Sequence, residues 1–518
     1  MYLPDKNLIW AASADQPVCL LPGMANRHGL IAGATGTGKT VTLKVLAEGF
    51  SDAGVPVFLG DVKGDVSGLA KPGVQSDSID QRLSALGISD FTYSAYPVRF
   101  WDVYGKQGIP VRTTISAMGP DLLARILGLN DVQSQVLSIV FKIADDSKLL
   151  LIDTKDLKSM LTHVSNNAAT YQPTYGAMST QTLATIQRNV VQLEGAGGET
   201  FFGEPALDIN DWLATDTDGR GIINILSCVQ LVQNPLLYST FLLWMLSDLY
   251  ETLPEAGDLA KPKIVFFFDE AHLLFQEAPK ALLSKVEQVA RLVRSKGVGI
   301  YFITQVPSDV PDNVLSQLGN KVQHALRAYT PSDQKAAHAA AQGFRPNPAF
   351  DTEKVLGELG IGEVLVSLLD DQGVPGMVER AKVLPPRSFL GVADDALISQ
   401  SVTSCPLYPK YATAVDDISA YEVLTQQDTQ AAAGAAPVAG SVPLAGVGPG
   451  AAMPAGGVSA AGPTKAELAA QKQAETQQAR AQAQRQTEIS RVVSSTVSSV
   501  GREVGRQLVR GLFGNLLK

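Results

Sequence analysis

Gly33, Ala34, Thr35, Gly36, Thr37, Gly38, Lys39 and Thr40 complete the pattern GxxxxGK[ST] without a mismatch. Glycines at these spacings let the main chain wrap closely around phosphates, whose charge meets converging N–H groups and the positive end of the helix that follows. Lys39 is spaced to reach the β and γ phosphates, and Thr40 to ligate Mg²⁺ through its hydroxyl. Val41 is the last residue of the cradle. Such a loop needs an acid on a neighbouring strand to hold the metal. The run Ile264-Val265-Phe266-Phe267-Phe268 ends in Asp269 and Glu270, which places two carboxylates at one strand tip. Asp269 is expected to hold Mg²⁺, and Glu270 to polarise a water for attack on the γ phosphate. The paired acids point to hydrolysis of ATP rather than its storage.

Other polar residues stand at strand ends. Gln305 follows Gly299–Thr304 and is placed to sense the γ phosphate. Arg294, in the cation-rich run Arg291-Leu292-Val293-Arg294-Ser295-Lys296, either complements the negative end of a helix or reaches a neighbouring subunit's nucleotide as a finger. Arg327, taken as the end of a strand over 321–327, is a second finger candidate. Asp61, Lys63 and Asp65 follow another strand, in the order Gly60-Asp61-Val62-Lys63-Gly64-Asp65, either as an outer shell around metal or water or as a surface turn.

These residues must be carried by particular elements. Short Ile-, Val- and Phe-rich runs alternate with helical periodicity through the first 370 residues, the pattern of a parallel sheet flanked by helices. Buried strands are predicted at 29–33, 55–60, 221–227, 264–268, 299–304, 321–327 and 364–369. The fold class is therefore α/β with a P-loop core, expected over 1–118 and 195–384. Residues 119–194 read as a helical insertion, and 385–430 as an irregular covering segment. Residues 431–463 hold 12 Ala, 8 Gly and 5 Pro with no charge, a flexible linker that cannot build a core. In 464–518, Ile489, Val493, Val497, Val500, Val504, Leu508 and Leu512 form one stripe of a C-terminal amphipathic helix, with Arg502, Arg506 and Arg510 on a nearby face.

The chain has 518 residues and a formal net charge of −9, which argues against a protein that coats nucleic acid by bulk positive charge. That charge is unevenly placed: 464–518 carries +5 and the first 463 residues −14. The arm then competes for another copy of the chain, its own body, a partner protein, DNA or an anionic surface. Cys19, Cys228 and Cys405 make no CxxC spacing, so neither a zinc site nor a disulfide framework is expected. No apolar run approaches a membrane span and the N-terminus does not read as a signal peptide, so a cytoplasmic protein that is not integral to a membrane is expected.

The succession of P-loop, GDVKGD, strand ending in DEAH, RLVRSKGVG, strand ending in TQ, and NKVQHALRAYTPSDQKA resembles the HerA/FtsK group of ring-forming P-loop motors. It is most similar to bacterial HerA-like ATPases, over about residues 27–384. The resemblance implies a RecA-like core that assembles as a homo-oligomer, a hexamer, hydrolyses ATP at subunit interfaces, and moves as a helicase or translocase on double-stranded DNA. It matches Lys39 and Thr40 to the phosphate and metal positions, Asp269 and Glu270 to the acid pair, Gln305 to the sensor and Arg294 to the finger in trans. HerA-type motors carry an N-terminal β-barrel, for which the roughly 28 residues before the P-loop strand are too few. DEAH also spells the box of a class of RNA helicases, but the second motor domain those enzymes need has no counterpart in the sequence. The alternative function is an ATP-gated assembly or scaffold protein acting on a protein or membrane complex through its C-terminal arm.

Overall fold

The structure, a computed structural model, describes residues 2–434 apart from 4–6, 14–15, 258, 276–279 and 328. The amphipathic stripe of 464–518 and all but the first residues of the Ala/Gly/Pro stretch lie outside the described residues. Thirteen strands form one sheet: β1 (Tyr2–Leu3), β2 (Asn7–Ser13), β3 (Gln16–Leu20), β4 (Gly29–Ala32), β5 (Val57–Asp61), β6 (Val98–Asp102), β7 (Ile109–Pro110), β8 (Ile223–Ser227), β9 (Ile264–Phe268), β10 (Val298–Thr304), β11 (Asn320–His324), β12 (Glu363–Ser367) and β13 (Glu379–Val383). Their order is β1-β2-β13-β12-β11-β4-β10-β9-β5-β8-β6-β7, with β3 on β2.

From β11 to β7 every neighbouring pair is parallel. The central strands read accordingly: IVFFF in β9 and VGIYFIT in β10 are buried at every position, as a sheet covered on both faces requires. Beyond β11 the sheet turns antiparallel through β12, β13 and β2. There one face meets water, and β13 alternates, with Ala381 and Val383 buried and Glu379, Arg380 and Lys382 exposed. All seven predicted strands occur. The extra ones lie at the two flanks, where strands are short or only half apolar. The strand predicted over 321–327 ends at His324: Ala325 and Leu326 continue the buried run but leave the ladder.

Helices over Ile115–Ile126, Asp131–Asp146, Thr154–Asn166, Ala168–Tyr175 and Thr180–Leu193 follow β7. Capping boxes Asn130/Gln133 and Asp153/Asp156 start two of them. Their buried side chains, among them Leu137, Leu161 and Ile186, are continuous with the core that holds Phe267 and Phe302. Residues 385–430 are less irregular than the fading periodicity suggests, with helices Asp395–Thr403, Tyr408–Tyr411 and Ala420–Gly434. The start of that segment is tied to the helix after the cradle, α1 (Lys39–Asp52). Buried Glu48 accepts from Arg387 N at 2.9 Å, Ser388 N at 3.0 Å and Ser388 Oγ at 2.6 Å. Lys44 Nζ, one turn earlier, donates to the carbonyls of Phe389 at 3.0 Å and Leu390 at 3.3 Å. Among the described residues no helix is long and apolar enough to cross a membrane.

Candidate nucleotide site

Parallel strands deliver their C-terminal ends to one edge of the sheet, where ligands of such folds collect. Register brings β4, β9 and β10 level there: Thr304 pairs with Ala32, and Phe302 with Phe268. Gly33–Gly38, Asp269–Glu270 and Gln305 therefore emerge side by side.

The loop from Gly33 to Gly38 needs backbone that only glycine adopts easily: φ is 153° at Gly33, 78° at Gly36 and 106° at Gly38. A Cβ on Gly33 would also lie 2.4 Å from the Cβ of His324. α1 begins immediately after, so the N–H groups of its first turn, around Lys39, Thr40 and Val41, have no carbonyl within the helix and face the loop. Thr35 and Gly36 are exposed at the rim. Lys39 is buried, and its Nζ donates to Gly33 O at 2.5 Å and Ala34 O at 3.1 Å. Burial first, and then the charge of Lys63, depress its pKa below the ordinary lysine value.

β11 braces the loop from below. His324, fully buried, lies 2.9 Å from Thr42 Oγ1 through Nε2 and 3.0 Å from Thr37 O through Nδ1. Ala34 N donates to Ala325 O at 2.9 Å, and Gly362 N to Thr37 O at 3.0 Å. Burial drives the His324 pKa down to about 4, so the imidazole is neutral at neutral pH and adds no charge beside Lys39. Its presence in the sequence gave no hint of this, because only the adjacency of β11 to β4 makes it a brace.

Asp269 is buried, and burial raises its pKa, with Lys63 opposing. Glu270 is half-buried at φ 47°, a left-handed conformation that costs a non-glycine residue about 1–3 kcal/mol. The bend turns its carboxylate toward the turn after β5. There Lys63 Nζ is 2.5 Å from Glu270 Oε1 and 3.7 Å from Asp269 Oδ2. Burial pushes the Glu270 pKa up, but the Lys63 bond outweighs it and the net shift is downward. His272 Nδ1 stands 3.1 Å from Glu270 Oε2. Asp65 Oδ2 accepts from Thr40 Oγ1 at 3.3 Å. Asp61, whose burial lifts its pKa to about 6, organises the turn by accepting from Gly64 N. The charged residues of GDVKGD thus surround the acid pair rather than decorating a surface turn.

Gln305 is exposed. Its carbonyl accepts from Gly33 N at 3.1 Å, which fixes the main chain of the β10 tip against the start of the loop. Arg327 does not end a strand. It lies exposed three residues past β11, on the cradle's edge of the sheet. Arg294 lies on a 3₁₀ turn, Val293–Lys296, before β10 rather than in the last turn of the helix, which ends at Leu292. That is the opposite edge of the sheet.

A family model described as helicase HerA-like C-terminal matches residues 6–518. The chain belongs to that family. Among curated relatives, this HerA-like chain is 26% identical over 150 residues to the DNA double-strand break repair helicase HerA of Saccharolobus solfataricus, covering 28% of this chain and 29% of that one. It is 31% identical over 148 residues to a probable helicase of Methanocaldococcus jannaschii, covering 28% of each. The matched stretches therefore span under a third of those relatives' lengths. A solved bacterial conjugative coupling protein, TrwB lacking 70 N-terminal residues and in complex with sulphate, superposes with a TM-score of 0.50 at 15% identity, over 75% of this chain and 92% of that one. The fold is that of a RecA-like P-loop ATPase.

The HerA-like site fits a magnesium nucleotide by its own chemistry. Glycines at positive φ shape the cradle, and Lys39 and the start of α1 supply positive charge. The oxygens of Thr40, Asp65 and Asp269 gather beside them, and the buried Oδ1 of Asp65 has no hydrogen-bond partner. Among the described residues no cluster of three or more His, Cys, Asp or Glu forms a complete metal site.

Proposed function

We propose that this HerA-like chain hydrolyses ATP with Mg²⁺ and uses the energy, as a ring of identical subunits, to move on or remodel double-stranded DNA. The observation that carries the reading is the delivery of cradle and acid pair to the same edge of the sheet, from β4 and β9 on either side of β10, with Asp269, Glu270, Lys39 and Thr40 at that edge.

In this reading the main chain of Gly33–Thr40 wraps the β and γ phosphates, and Lys39 leaves the loop carbonyls to pair with their charge. Thr40 and Asp269 would hold Mg²⁺, which when bound would supply positive charge against that building on the transferred phosphoryl oxygens. Glu270 accepts the proton of a water as its oxygen bonds to the γ phosphorus and the bond to the β,γ-bridging oxygen breaks, leaving ADP and phosphate. Gln305, at the tip between cradle and acids, orients the water. Arg294 cannot reach its own nucleotide: β10 has 7 residues, roughly 20 Å of strand at ~3.3 Å per residue. Its role requires a neighbour's site. Arg327, on the cradle's own edge, is the candidate for a finger in cis.

Duplex DNA should stimulate hydrolysis, and the stimulation should fall steeply with salt as phosphate contacts release counterions. Turnover indifferent to every form of DNA at low salt would reject the DNA motor. It would leave an ATP-gated scaffold, the reading that the −14 charge of the first 463 residues favours.

A further inference from the structure

The turn after β5 engages the groups that the proposed cycle requires. Its shape comes from Asp61, whose carboxylate accepts from Gly64 N at 2.7 Å and Val66 N at 3.4 Å, while Gly64 adopts φ 78°. So bent, the turn sends Lys63 to the acid pair and Asp65 to the Thr40 hydroxyl. The ammonium sits 2.5 Å from one Glu270 oxygen. The other oxygen lies 3.1 Å from His272 Nδ1 but makes no hydrogen bond, and Lys39 is occupied with loop carbonyls. A carboxylate oxygen held by an ammonium has its lone pair committed and is a poor acceptor for a water proton. The same ammonium, 3.7 Å from Asp269 Oδ2, supplies the positive charge that a divalent cation would bring to that carboxylate. One monovalent group therefore stands where the metal's charge would act and holds one oxygen of the base.

We propose that Lys63 is a positioning residue that competes with the divalent cation for Asp269 and holds one oxygen of Glu270 until a metal nucleotide is seated. The inference rests on the reading of Asp269 as a metal ligand and Glu270 as the base. The side chain is suited to such an exchange: 38% of Lys63 is exposed, against 12% of Glu270 and 7% of Asp269, so the ammonium can leave for solvent or phosphate while the acids stay in place. Burial opposes its charge, yet Asp269 and Glu270 hold its pKa above the ordinary lysine value. The order of events follows from charge: Mg²⁺ and Lys63 repel each other across a shared carboxylate, and arrival of one weakens the hold of the other.

The test is a Mg²⁺ titration of fluorescent ADP-analogue binding to the full chain, comparing wild type with Lys63→Met and Lys63→Arg. Removing the charge should raise the apparent Mg²⁺ affinity on the order of tenfold, and Lys63→Arg should restore nearly the wild-type value. Unchanged or weakened Mg²⁺ affinity in Lys63→Met, with wild type still binding in a Mg²⁺-dependent way, overturns the competition while leaving the ATPase reading intact. Wild-type binding that ignores Mg²⁺ removes the parent reading, and this one with it.

Discussion

At the scale of single residues, the site combines strain with strong pairing. Glu270 is held at a positive φ and pinned by Lys63, an arrangement that spends stability on the direction of one carboxylate. Glu270→Gln keeps size, backbone and most hydrogen bonding but cannot take a proton. It should retain ATP binding and lose about 10²- to 10⁴-fold in turnover, measured by single-turnover hydrolysis beside an equilibrium binding assay. Wild-type turnover in that variant would remove Glu270 as the base. The cradle and the acid pair were legible in the sequence because each is a fixed spacing set against an unbroken apolar strand. Lys63 was legible only as a charge near the site, since spacing does not say which way a turn points. Arg327 was misplaced for a physical reason: Ala325 and Leu326 stay buried after the ladder has ended, so the apolar run outlasts the strand.

At the scale of elements, α1 does more than present its first turn to phosphate. Its buried ion-bearing side chains, Lys44 and Glu48, hold the segment 387–391 along its length. Glu48→Ala would strand the N–H groups of Arg387 and Ser388 and the Ser388 hydroxyl. The expected cost is about 3 kcal/mol, read as a lowered denaturation midpoint with faster amide exchange confined first to 387–391. Uniform exchange across the chain, or no loss of stability, would argue that the segment is held by something else. This anchor was invisible in the sequence, where Lys44 and Glu48 look like an ordinary exposed pair one turn apart. The flanking strands were missed for a related reason: β13 reads as ERAKV, and its two inward residues carry too little apolar signal to stand out.

At the scale of the whole molecule, the two finger candidates lie on opposite edges of one sheet, and that separation gives a test of the proposed ring. If Arg294 serves a neighbour, Arg294→Ala and Glu270→Gln proteins, each inactive alone, should regain part of their activity when mixed, because some interfaces then pair an intact arginine with an intact glutamate. A mixture no more active than its components would assign the finger elsewhere, with Arg327 the next to test. The proposed assembly would bring an acidic body, −14 over the first 463 residues, against copies of itself, so its joining surfaces would have to be matched locally rather than by overall charge.

The braces beneath the phosphate loop also set a timetable. Thr37 and His324 are 287 residues apart, and at roughly 5–20 residues per second a ribosome needs on the order of tens of seconds to make the second after the first. Throughout that interval the nascent cradle has neither β11 beside it nor a histidine under it. It cannot mature early, whatever its local preferences. Affinity for ATP would then wait for β11, and a polypeptide released before it would carry the full P-loop motif without the brace beneath its cradle.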